Sequence, residues 1–172
     1  PPELSTVSLT PLLPLAIDTL TCAEAGAFDL DGDVVAVNFD WYVQGVFVPS
    51  GSNQIDDAFF GTGQEVYCIA TPNDGAEDGV GVQSNTVRIE NSVPTIASVT
   101  LSPDPAFEAD LLTCTENGMN DADGDPVSAL YSWTVGGLVI PPATNTITGV
   151  WFDKGDAVQC TVVPDDGAAQ GL

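Results

Sequence analysis

The chain has 172 residues, a length that suits one domain or two small ones. It carries 25 acidic residues against two basic ones, Arg88 and Lys154, with no histidine and a formal charge of -23. That balance excludes binding to nucleic-acid phosphates, attraction to an anionic membrane surface and any histidine chemistry, while the surplus of carboxylates favours cations as partners.

Apolar residues make up 44% of the chain, with three Trp and seven Phe, so a folded core is expected rather than disorder. No apolar run approaches the roughly 18 residues of a membrane span, so membrane insertion is not expected. The chain opens at Pro1 without Met or a secretory leader. The expectation is a processed product or a piece of a longer protein.

In chain order, the first alternating segment is Thr6-Val-Ser-Leu9, which ends at Pro11. Thr19-Leu-Thr-Cys22 reads as the next strand. An Asp-rich turn, Asp29-Leu-Asp-Gly-Asp33, leads into Val37-Asn-Phe-Asp-Trp41. Gly45 marks a hairpin. Ile55–Phe60 and Glu65–Ala70 follow as strands, then the turn Pro72-Asn-Asp-Gly75, and then the strand-like segment Ser84–Glu90. Short strands every 8–12 residues, separated by Gly, Pro and Asp, indicate an all-β sandwich or barrel.

The series then recurs. Displacing the sequence by 92 residues superposes it on itself without a gap, and 30 of the 80 aligned positions are identical. Cys22 falls on Cys114, Trp41 on Trp133, Cys68 on Cys160, and Asp31-Gly32-Asp33 on Asp123-Gly124-Asp125. The chain therefore reads as two copies of one domain, residues 1–92 and 93–172. Copy two has no counterpart of Gly81–Ser92, so its final strand is expected to be missing and a sheet edge open. Two explanations stand: a cut at that point, or a strand supplied by another chain to build a filament. The alternating N-terminal stretch Pro2–Pro14 is the candidate donor.

Four cysteines permit three pairings. If each copy is self-contained, the pairs are Cys22–Cys68 and Cys114–Cys160, and disulfides imply an oxidising, extracytoplasmic compartment. Free buried thiols or a metal site are the alternatives.

In both copies a Trp lies 19 residues after the first Cys. This Cys…Trp…Cys order resembles an immunoglobulin-type sandwich, in which the two Cys lie on strands B and F and the Trp on strand C. Asn120-Asp-Ala-Asp-Gly-Asp-Pro-Val, followed by Tyr131-Ser-Trp133, resembles the corresponding segment of PKD-like and cadherin-like repeats. Copy one carries the looser Phe28-Asp-Leu-Asp-Gly-Asp-Val-Val with Phe39-Asp-Trp41. The motif covers about fifteen residues per copy, and Trp133 is followed by Thr-Val-Gly-Gly rather than the usual PKD continuation. The resemblance implies tandem immunoglobulin-like modules of bacterial or archaeal surface proteins, often with calcium.

Carboxylates presented from a tight turn suit a hard cation, and calcium takes six to eight oxygens. Asp29, Asp31, Asp33 and Asp121, Asp123, Asp125 are the candidates, and plain acidic turns are the alternative. An EF-hand is excluded, because Gly stands at position 4 of the loop rather than position 6. In the resembled sandwich the B–C and F–G loops share one end. That brings Asp74 toward the first trio and Asp166 toward the second, and places Glu90 and Asn91 of the linker to complete the second site.

Three functions of different class follow. The first is a non-enzymatic structural module of a secreted or cell-surface fibre, adhesin or surface layer, with adjacent repeats or further copies as its partners. The second is a glycan- or receptor-binding module using Phe59-Phe60 and Trp151-Phe152. The third is an enzyme, disfavoured because no histidine or suitable lysine activates the hydroxyls.

Overall fold

Alternation of apolar and polar residues sets strands with one buried face. A computed structural model describing residues 1–172 has fourteen strands and no helix. The chain divides into two compact units, Pro1–Asn91 and Ser92–Leu172. The division falls one residue before the repeat alignment places it, and Ser92 bonds within the second unit (below).

In the first unit, β1 (Thr6–Thr10), β2 (Leu20–Ala25) and β5 (Gln54–Ile55) form one antiparallel sheet. The other sheet contains β3 (Ala36–Val43), β4 (Val46–Val48), β6 (Glu65–Asn73), β7 (Val82–Gln83) and β8 (Val87–Arg88), in the order β4-β3-β6-β7, with β8 also on β6. In the second unit, β9 (Ser98–Ser102), β10 (Leu111–Asn117) and β13 (Thr146–Thr148) form one sheet. β11 (Ser128–Val135), β12 (Leu138–Ile140) and β14 (Val158–Asp165) form the other. The registers repeat as well: Trp41 faces Cys68 and Leu9 faces Cys22, as Trp133 faces Cys160 and Leu101 faces Cys114.

Each core lies between its two sheets and around a disulfide. Cys22–Cys68 and Cys114–Cys160 are both formed, each 46 residues apart, and there is no free cysteine. Trp41 and Trp133 are wholly buried. Each indole Nε1–H donates to a main-chain carbonyl, Ser52 at 2.8 Å and Thr144 at 2.7 Å, so the ring is buried without losing its hydrogen bond.

Two expected strands are shorter than their apolar residues suggest. Only Gln54–Ile55 and Thr146–Thr148 are extended. After Ile55 the Asp56 carboxylate accepts from Ala58 N–H and its carbonyl accepts from Phe59 N–H, which turns the chain out of the sheet. Phe60 and Phe152 nevertheless reach the core, while Phe59 and Trp151 remain partly exposed. Of the strand read at Ser84–Glu90 only Val87–Arg88 is extended, as β8, and a further short strand, β7, precedes it at Val82–Gln83. Between them the side chains of Ser84 and Asn85 take over the hydrogen bonding: Ser84 Oγ accepts from Cys68 N–H, and Asn85 bonds both N–H and C=O of Leu9.

The candidate donor stretch Pro2–Pro14 is not a free arm. Its Thr6–Thr10 pairs with β2, and Leu9 is fully buried in the first unit.

Within the second unit, Tyr131 on β11 donates a short hydrogen bond to the Glu116 carboxylate on β10. Partial burial, then that hydrogen bond, pushes the Tyr131 hydroxyl up to about 12. The same hydrogen bond holds the Glu116 carboxyl below its ordinary 4.5. Glu116 therefore stabilises the fold above its unfolded pKa, and that contribution is lost as pH falls through the lowered folded value. Tyr131 contributes below its unfolded pKa of 10.0, and this is lost as pH rises through about 12.

Tyr131→Phe should cost about 1 kcal/mol at neutral pH. Denaturant titrations across pH should show that difference flat between roughly pH 5 and 9 and shrinking on both sides. Separately, replacing Cys114 and Cys160 together by Ala should destabilise the second unit by about 4 kcal/mol on the loop-entropy account. The first unit should melt unchanged in the same scan.

Candidate metal site

In the second unit, β10 ends at Asn117 and β11 begins at Ser128, and the acidic turn lies between them. Its fold is local. Asp121 Oδ1 accepts from the N–H of Asp123 at 2.8 Å and of Asp125 at 3.3 Å. Gly124 N–H reaches back to the Asp121 carbonyl at 3.4 Å, and Gly124 takes φ +81°, a conformation that favours glycine. These bonds curl the chain so that carboxylates at alternate positions converge. Ligand oxygens of Asp121, Asp123 and Asp125 all lie within 4.8 Å of one another.

Ser92 fixes the middle carboxylate. Its N–H donates to Asp123 Oδ2 at 2.6 Å and its hydroxyl to Oδ1 at 2.9 Å. Sequence reading passed over Ser92 as a linker residue. The available signal was a serine two residues before Pro94, at a point where chain and acidic turn were expected to meet.

Asp121 is 7% exposed, yet its Oδ2 is buried with no hydrogen-bond partner. A buried carboxylate oxygen without a donor is costly. At this separation two carboxylate charges repel by about 3–4 kcal/mol at the effective dielectric of a protein surface, and by less where water reaches them. A divalent cation relieves both penalties at once. The donor set, all hard oxygen, suits a hard cation rather than a soft transition metal.

The first unit does not repeat this arrangement. Asp31 N–H donates to Asp29 Oδ1 at 2.8 Å and Gly32 N–H to the Asp29 carbonyl, so the turn is similar. Asp31 and Asp33, however, are exposed, and no group of three converging carboxylates forms there.

In the neighbouring turn, Oδ1 of each expected residue caps its own loop. Asp74 Oδ1 accepts from Ala76 and Glu77 N–H, and these bonds, Glu77 first, hold its carboxyl below the ordinary range. Asp166 Oδ1 accepts in the same way from Ala168 and Ala169 N–H. Neither Asp74 nor Asp166 belongs to the converging group. Glu90 and Asn91 close the first unit, where Glu90 N–H donates to the Pro14 carbonyl.

No protein-family model and no curated protein matches the chain.

Asp121→Asn tests the electrostatic reading without any metal. An amide at Oδ2 removes one charge and supplies a donor for the neighbouring carboxylates. In chelator at low salt the variant's second unit should be more stable than the parent's, by about 1 kcal/mol. A less stable variant would show that Oδ2 has a donor in solution.

Proposed function

We propose that the chain is a pair of immunoglobulin-like modules from an extracellular structural array, a secreted or surface-anchored fibre, adhesin or surface layer. On this reading the second unit is stabilised by calcium at its acidic turn. The observation that carries the reading is the buried, partnerless Oδ2 of Asp121 beside Asp123 and Asp125.

Several features support it. Two sheets per unit, tied by a disulfide against a buried Trp, suit the immunoglobulin-like arrangement. Two disulfides suit an oxidising compartment, and no helix is long and apolar enough to cross a membrane. The 92-residue repeat suits an array whose function is mechanical.

When bound, the ion would supply charge neutralisation and a cross-link between turn residues, and no chemical step. The protein's own residues do the positioning. Gly124 and the Asp121 Oδ1 bonds shape the turn, and Ser92 orients Asp123. The turn joins β10 to β11, strands from different sheets, so an ion there would tie the sheets at a second point besides the disulfide.

Calcium at 100 times its dissociation constant should stabilise the second unit by about 2.7 kcal/mol, since it binds only the folded state. The measurement is thermal unfolding in calcium, in EDTA and in matched sodium chloride. Asp123→Asn with Asp125→Asn should remove most of the calcium response. An equal response to sodium would reduce the effect to general screening.

A further inference from the structure

The two units treat equivalent strand edges differently. In the first unit, the outer edge of β6 is covered by residues 81–90. Val82–Gln83 pairs with Ala70 and Ile69, and Val87–Arg88 with Val66 and Glu65. Ser84 N–H donates to the Cys68 carbonyl and Ile89 N–H to that of Gln64, while Gly63 N–H donates to the Ile89 carbonyl. Val87 and Ile89 are 3% and 1% exposed, and beneath them Leu9, Val66 and Cys68 are wholly buried.

In the second unit, the corresponding edge belongs to β14 and has only the single bridge Asp165–Gln170. Leu101, Val158 and Cys160, the counterparts of Leu9, Val66 and Cys68, are only half-buried. A cavity of about 940 Å³ opens there, floored by Leu101, Leu112, Phe152 and Val158. By the 92-residue correspondence this floor matches Leu9, Leu20, Phe60 and Val66, which share one core cluster with Val87 and Ile89 in the first unit.

The main chain of the groove is set for a strand. Cys68 and Leu9 turn their N–H and C=O toward residues 84 and 85. The matching registers Trp133–Cys160 and Cys114–Leu101 aim the same groups of Cys160 and Leu101 into the open groove. The lining also carries Asp104, Glu108, Asp153 and Asp156 against the single Lys154. That sign favours an occupant with a basic residue. The covering strand of the first unit has one, Arg88, between its two buried aliphatic residues.

We propose that this groove binds an extended polypeptide strand with the chemistry of Gly81–Glu90. A Ser-Asn pair bonds the main chain of Cys160 and Leu101, two aliphatic residues at alternate positions fill the floor, and a basic residue between them faces the acidic lining. Strand addition of this kind takes affinity from main-chain bonds and specificity from alternate side-chain pockets. The geometry of entry agrees. Gly171 packs against the Pro94 carbonyl, where a Cβ would come within 1.8 Å. Gly79 sits likewise against Pro2, two residues before Gly81. The inference is independent of the calcium site.

The test is a titration of the 172-residue chain with a synthetic peptide of the Gly81–Glu90 sequence, read by amide hydrogen exchange. Saturable binding is expected, with new protection at Cys160 and its neighbours on β14. A peptide carrying V87D and I89D should bind at least tenfold more weakly, and one carrying R88E should lose affinity most at low salt. As a second arm, the same ten residues are attached after Leu172, and the second unit should then melt several degrees higher. Protection of β14 in either arm sustains the proposal. No protection in either overturns it, as does protection of β6 alone, or a dimer of the free chain through β14 that the peptide does not displace.

Discussion

The cross-link between sheets is the constraint on which the rest of each unit depends. A β-unit of some 80 to 90 residues has little area to bury, and its two sheets share few hydrogen bonds. Cys22–Cys68 and Cys114–Cys160 tie sheet to sheet at the centre. The tryptophan directly across the ladder from the second cysteine packs into the same core. With the sheets fixed, the strand ends are fixed, and so are the turns that leave them. Side-chain bonds such as Tyr131 to Glu116 then add a second, weaker connection between sheets.

That rigidity is what allows like charges to be held together. In a flexible turn, three carboxylates would separate into solvent. Here the turn is anchored at both strands, Asp121 is buried by the fold, and Ser92 holds Asp123 from outside the turn. The cost is concentrated on one atom, Asp121 Oδ2. The first unit has the same Asp-x-Asp-Gly-Asp sequence but leaves its second and third carboxylates in water. The difference between the units is thus one of burial and orientation, with the turn motif unchanged.

Much of the architecture was legible in the residues. The 92-residue repeat located both units, both cysteine pairs and most strands, since alternation and spacing are local signals. The short β5 was not legible, because the Asp56 carboxylate overrides an apolar stretch by bonding to the main chain, and in the second unit a main-chain turn bond from Trp151 N–H to the Thr148 carbonyl follows β13. The break between β7 and β8 was hidden for the same reason, in Ser84 and Asn85. At the site, the Asp trio was readable from spacing. Which of the two trios converges was not, since that depends on Ser92 and on burial set by tertiary contacts. Asp74 and Asp166 were assigned to the trios by loop proximity, and in each of them Oδ1 caps its own turn.

The central claim is that Asp121 Oδ2 is the anchor of a cation site. A crystal structure grown in calcium, with anomalous data to identify the ion, tests it most directly. The account predicts one calcium about 2.3–2.6 Å from Asp121 Oδ2, with oxygens of Asp123 and Asp125 in its shell. Calcium found only on exposed carboxylates elsewhere, with Asp121 Oδ2 bonded instead to a protein donor or an ordered water, would contradict it.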